Sequence, residues 1–159
     1  MLKKVINNEQ GLSLVEVVAS IIILTIILLS FFAFFINTAK TTKTSSTMFD
    51  ATYYAQREME LFYNITQNNI LNKNEEPAVK SEKIYNAILN HDYEAINQTN
   101  FTKIIDDEPF DYNLVIHNDL GKNLTHFTIS VCKKGEVNSC TGSNLKATMF
   151  NIYEWRTTP

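Results

Sequence analysis

The chain has 159 residues, 45% of them hydrophobic, with 14 Lys and Arg against 17 Asp and Glu, two Cys, four Gly and three Pro. That is one domain's worth of chain. A net charge of minus three leaves no bulk excess of positive charge to neutralise a phosphate backbone, so a dedicated nucleic-acid-binding domain is excluded as the default reading.

The apolar residues are spread unevenly. Residues 1–11 are short, polar and basic near the start, with Lys3 and Lys4, and end in Gly11. From Val17 to Ile36 there are twenty consecutive residues without a charge, and only Ser20, Thr25 and Ser30 are polar. A helix of that length rises roughly 30 Å, the thickness of a bilayer's hydrocarbon core, whereas the apolar region of a secretory signal is about 7 to 15 residues long. The run therefore reads as a membrane span, and the sequence Phe35-Ile36-Asn37-Thr38-Ala39-Lys40 after it makes a poor cleavage site for ordinary signal peptidase.

Glu16 stands near the start of this otherwise uncharged helix. A carboxylate deep in lipid costs roughly 2.5 to 3.5 kcal/mol on insertion scales, so an acid in such a place is a functional candidate that needs a cationic partner. If the chain were cut after Gly11, the new amino group on Leu12 would lie one helical turn before Glu16 and supply that charge. The competing reading is a cytoplasmic tail followed by a plain signal anchor, with Gly11 and Glu16 coincidental.

The run Gly11-Leu12-Ser13-Leu14-Val15-Glu16 followed by a long apolar helix resembles the class III signal of type IV pilins and pseudopilins. In that family a prepilin peptidase cuts after the glycine, methylates the new terminal amine and leaves a glutamate at the fifth mature position. The resemblance puts cleavage between Gly11 and Leu12, N-methylation on Leu12, and the assembly-register role on Glu16, which would pair with a neighbouring subunit's amine in a filament. The family more often has Phe where Leu12 stands. A buried polar group that fixes alignment is the best-attested use of such groups.

No Gly or Pro interrupts residues 12–76, which predicts one long helix broken at Pro77. Its first part, 12–36, is the transmembrane and assembly helix, and 37–76 its soluble continuation. Asn37 to Thr47 holds five Thr and two Ser, residues that compete for backbone hydrogen bonds, so the helix is expected to loosen there. From Met48 onward, Met48, Ala51, Ala55, Met59, Phe62 and Ile65 recur at three- and four-residue steps, an amphipathic stripe on which a C-terminal domain would pack.

Residues 77–159 form that domain, with eight basic and ten acidic side chains. Strands are predicted over Tyr112–His117, Leu124–Cys132 and Ala147–Trp155, with Phe127, Ile129 and Val131 on one face and Phe150, Ile152 and Tyr153 nearby. Residues 118–123 read as a hairpin connection, and 78–105 as a short helix and loop. The fold expected is α+β, a long N-terminal helix packed on a small antiparallel β-sheet, pilin-like by the resemblance.

Cys132 and Cys140 enclose a short loop, and in an extracytoplasmic domain they favour a disulfide. No metal set is expected. His91, His117 and His126 are scattered, and His117 facing His126 across the hairpin reads as a solvated sheet face. The acidic run Asp106-Asp107-Glu108-Pro109-Phe110-Asp111 lacks the spacing of a calcium loop and reads as a solvated loop. No catalytic set and no cofactor emerge, so the chain is not expected to be an enzyme.

The positive-inside count ties, with Lys3 and Lys4 before the span and Lys40 and Lys43 after it. The resemblance implies a cytoplasmic leader, an extracytoplasmic C-terminal domain, and incorporation in a cell-surface pilus or pseudopilus. It also implies the partners: other pilin or pseudopilin subunits, the prepilin peptidase, a membrane platform protein, a motor ATPase, and membrane lipid before assembly. The stretch Ala51 to Glu60 is similar to a pattern of minor pilins and minor pseudopilins. DNA enters only if the filament is a competence pseudopilus, with Lys133, Lys134, Lys146 and Arg156 as a basic patch; with a net charge of minus two over the domain, these residues otherwise read as a solvated face.

Overall fold

The computed structural model describes residues 13–158. The chain divides into two compact units, one running to Thr44 and the other from Ser45.

The first unit is helical. Helix α1 spans Leu14–Asn68, so its residues up to Thr44 make up the described part of this unit. Ser13 starts it: its Oγ accepts from the Glu16 backbone N–H at 3.2 Å, the arrangement in which an N-cap hydroxyl satisfies one of the orphan donors of the first turn. Nothing within the unit covers the apolar side chains; Ile23, Leu24, Ile26, Phe32 and Phe35 are all more than half exposed. The expected loosening between Asn37 and Thr47 is not observed. The helix continues because Thr41, Thr42 and Thr44 turn their hydroxyls onto the carbonyls of Asn37, Thr38 and Lys40, bonding to the helix instead of competing with it.

In the second unit α1 buries Ala51, Ala55, Glu58, Met59, Phe62, Ile65 and Thr66. This is the predicted stripe with two changes: Met48 is half exposed, and Glu58 and Thr66 have joined the buried face. The helix ends at Asn68, not at Glu76. Asn69 returns both its backbone and its side-chain N–H to the Ile65 carbonyl, and the chain then enters β1, Leu71–Asn72. Pro77 therefore starts a helix rather than ending one. It opens α2, Pro77–Leu89, where its missing N–H costs nothing because first-turn donors have no partner within the helix.

The sheet follows. Strands β2 (Glu94–Ala95), β3 (Asn100–Ile104), β4 (Phe110–Asp119), β5 (Leu124–Lys133) and β6 (Leu145–Glu154) lie in chain order. Every neighbouring pair is antiparallel. The three predicted strands are β4, β5 and β6 with longer ends; β3 lies where a loop was expected. A final short strand, β7 (Thr157–Thr158), pairs in parallel with β1. Arg156 N–H donates to the Thr66 carbonyl at 3.1 Å, so the tail after β6 is tied to the last turns of α1. The turn between β4 and β5 relies on Asn123 at φ 54, a left-handed conformation that Asn tolerates.

One face of the sheet packs on α1 and α2. Phe127, Ile129 and Val131 are fully buried on it, as their alternation predicts, with Phe101, Tyr112 and Leu114 beside them. The Phe62 and Phe127 rings stack with centroids 4.8 Å apart. Trp155 closes one end, its indole N–H donating to Thr125 Oγ1 at 2.8 Å, while the Thr125 hydroxyl donates to Asn118. Phe150 and Ile152 are on the other face, 58% and 42% exposed, because they pair with Thr128 and His126 of β5 rather than with its buried residues.

Candidate functional site

Four arrangements bear on function. The first is the helix start. Gly11 and Leu12, the expected cleavage and methylation positions, lie outside the described residues. Glu16 is in the first turn of α1 and is exposed. Negative charge there is favoured by the helix dipole, and Ser13 with Glu16 three residues on is a capping-box spacing, a local signal the sequence reading overlooked. Along the apolar stretch the three polar side chains are internally satisfied: Ser20 donates to the Glu16 carbonyl, Thr25 to Ile21 at 2.7 Å and Ser30 to Ile26 at 2.9 Å. A polar group left unpaired in hydrocarbon costs several kcal/mol, roughly, and these hydroxyls avoid that. By length and composition this helix can cross a membrane, with none of the relevant segment buried within the chain.

The second is a buried ionic network that pins α1 to the sheet. Glu58, on the buried stripe, meets the Lys103 ammonium at 3.2 Å, accepts from the Tyr93 hydroxyl at 2.9 Å, and lies 3.1 Å from Arg57. Arg57 reaches on to Glu108 at 2.6 Å and sits over the Tyr54 ring, while Tyr112 donates to Glu108. Burial, then the Glu58 carboxylate beside it, pushes the Tyr93 phenol well above its ordinary value. Tyr112 is pushed up by burial and by its bond to Glu108. Burial acts to lower the Arg57 pKa, but the bonds to Glu108 and Glu58 outweigh it and raise it further. At its buried end, Glu58 and Lys103, the network satisfies the two charges that α1 and β3 bury.

The third is the loop after β5. Cys132 and Cys140 are placed as a disulfide pair with Cα atoms 5.4 Å apart. The enclosed loop is also held by Asp111, fully buried opposite Cys132, whose carboxylate accepts from Gly135 N–H at 2.6 Å and lies 3.4 Å from the Lys134 ammonium. The acidic run 106–111 is thus not simply solvated: Glu108 and Asp111 turn inward to cations while Asp107 is exposed.

The fourth is a cleft of about 550 Å³ lined by Asp50, Tyr53, Tyr54, Phe110, Lys133 and Lys146 among others. It brings together two members of the expected basic patch. Lys134 is engaged with Asp111 and the Ile105 carbonyl instead, and Arg156 follows β6 at its far end, where its backbone bonds to Thr66 and Leu71. The four cations do not make one surface. Among the described residues no group of three or more His, Cys, Asp or Glu side chains is placed to hold a metal ion.

No family model, no curated protein and no solved structure matches the chain.

Proposed function

We propose that the chain is a minor subunit of a type IV pilus or pseudopilus, processed by a prepilin peptidase after Gly11 and assembled through its N-terminal helix into a filament. The observation that carries this reading is the apolar stretch of α1: its side chains find no partner within their unit, while its hydroxyls are already satisfied by its own backbone. Such a surface suits lipid first and other helices later, where van der Waals packing drives association. The Gly11-to-Glu16 resemblance supplies the route from one to the other, with Glu16 paired to a Leu12 amine. The α+β domain with its disulfide loop would be carried outside, on a pilin-like scaffold, and the chain would act as a structural subunit rather than an enzyme. Its partners on this reading are other pilin or pseudopilin subunits, the peptidase, a platform protein and a motor ATPase, with DNA added only in a competence pseudopilus.

Intact mass and N-terminal sequencing of the protein from its native membranes tests the proposal. It predicts a chain beginning at Leu12, heavier by one methyl group than the bare cleavage product and dependent on the peptidase. A chain still beginning at Met1 in a host that has the peptidase overturns it.

A second reading, a signal-anchored extracytoplasmic binding or enzymatic domain, is favoured by the place of Glu16 in the first turn of α1, where the helix dipole suits its negative charge without any filament. Under it, Glu16→Ala leaves surface display unchanged. Under the filament reading the same variant is processed but poorly incorporated.

A further inference from the structure

We propose that His117 and His126 form an open two-imidazole site for a borderline divalent transition ion of the zinc, nickel or copper class. The inference goes beyond the filament reading and does not depend on it.

The two residues are direct cross-strand partners in the β4–β5 register. Their side chains stand on the sheet face opposite the core, because Ile116 beside His117 on β4, and Thr125 and Phe127 on either side of His126 on β5, are buried beneath it. The ring centroids are 5.8 Å apart and the planes 80° from parallel. With metal–nitrogen bonds of about 2.0 to 2.1 Å, two imidazoles on one tetrahedral ion have centroids about 5 Å apart. A small rotation about the side-chain torsions closes the difference. The His126 ring is held on its far side by Phe150 at 6.0 Å, which limits where it can turn and leaves His117 as its open neighbour.

The donor type sets the class of ion. Neutral imidazole suits zinc, nickel and copper, whereas calcium and magnesium take oxygen donors. The next register row carries Asp119 on β4 and Glu154 on β6. Asp119 is paired with Lys122 at 3.3 Å, so it is not free to close the set. Among the described residues no third His, Cys, Asp or Glu side chain is placed to complete the set, so the site is bidentate, with the remaining coordination positions left to water or to a donor brought by another molecule. A closed structural site would need four protein ligands, and an open one is the form that exchanges ligands.

Titration of the full-length protein in detergent with zinc sulfate tests this. Zinc is redox-inert and leaves the Cys132–Cys140 bond alone. Calorimetry should show one zinc per chain, and the imidazole resonances of His117 and His126 should shift while those of His91 do not. Losing a metal ligand costs at least what losing an outer-shell partner does, about tenfold or more in affinity. His117→Ala and His126→Ala should each show such a loss. Each single variant keeps one imidazole, so the double variant should bind no more tightly than either single, and His91→Ala should bind as the parent does. Trp155 fluorescence checks that each variant remains folded. Zinc binding that survives His117→Ala unchanged, or no histidine-dependent binding up to millimolar zinc, overturns the site.

Discussion

The two parts of α1 share one backbone conformation and differ in what their side chains meet. Up to Thr44 the apolar residues have no cover in their own unit, and from Ser45 onward Ala51, Ala55, Met59, Phe62 and Ile65 are buried by the sheet and α2. From Val17 to Ile36 the first part is apolar all round, the pattern of a helix surrounded by hydrocarbon or other helices; the second is apolar on one stripe. Helix formation does not distinguish them. What covers them within the chain does, and their polar groups are satisfied differently: hydroxyls turned onto the backbone in the first, a charge quartet around Glu58 in the second.

The largest expected break is in the second part. Phe62→Ala removes a ring stacked on Phe127 in a fully buried position and should destabilise the C-terminal unit by about 3 to 5 kcal/mol, read from its denaturant midpoint. Glu58→Ala leaves the Lys103 ammonium, 6% exposed, without its carboxylate, at a cost of roughly 3 to 5 kcal/mol. Adding Lys103→Met should restore much of that. If the double variant is no better than the single, the Glu58–Lys103 pair is not what holds β3 to the helix.

In the first part the sensitive readout is membrane partition rather than unfolding. Leu24→Arg places a charge at mid-span and should oppose insertion by about 2.5 to 3.5 kcal/mol, moving protein out of the membrane fraction. The denaturant midpoint of the C-terminal unit should stay where it is. A fall in that midpoint would mean that the two parts are energetically coupled and that the contrast between them is wrong.

Two smaller effects sharpen the picture within the second unit. Reducing the Cys132–Cys140 bond should lower its stability by about 2 to 3 kcal/mol, the effect of a short closed loop on the unfolded chain, without changing membrane partition. The last effect is invisible at neutral pH. Tyr93 and Tyr112 have folded pKa values raised above the ordinary phenol value of 10.0. The stability this gives is complete below the unfolded value and is lost as pH rises from it toward the folded values. An alkaline absorbance titration should show these two phenols ionising only as the unit unfolds, and Tyr93→Phe should remove one of them from that late step.

Much of the fold could be read from residue order. The alternation of Phe127, Ile129 and Val131 announces β5, and the three- and four-residue steps from Ala51 to Ile65 announce the stripe. Strand β3 was hidden because its inward positions hold Phe101 and Lys103, and a lysine at a core position breaks the apolar alternation that marks a half-buried strand. Glu58 was left off the helix stripe for the same reason. Each charge argues against burial until the other is beside it, and they are far apart in sequence. Helix α1 ends well before Pro77, the stop that residue order suggests, because the β1–β7 pairing and Asn69 draw the chain away at Asn68.

For the sites, local signals were enough where the chemistry is local. Cys132 and Cys140 lie close along the chain, the apolar run carries its own length, and Ser13 with Glu16 is a spacing legible in four letters. The basic residues show the opposite case: Lys133 and Lys134 are adjacent in sequence, yet one lines a cleft and the other is committed to Asp111.

Sequence by itself determined the long apolar helix, the amphipathic continuation and the three long strands, because period and length are properties of neighbouring residues. Only the tertiary structure decided which charges are buried and which side of β6 faces the core. Those outcomes depend on pairing register, and register is set by the summed fit of distant segments rather than by any one of them.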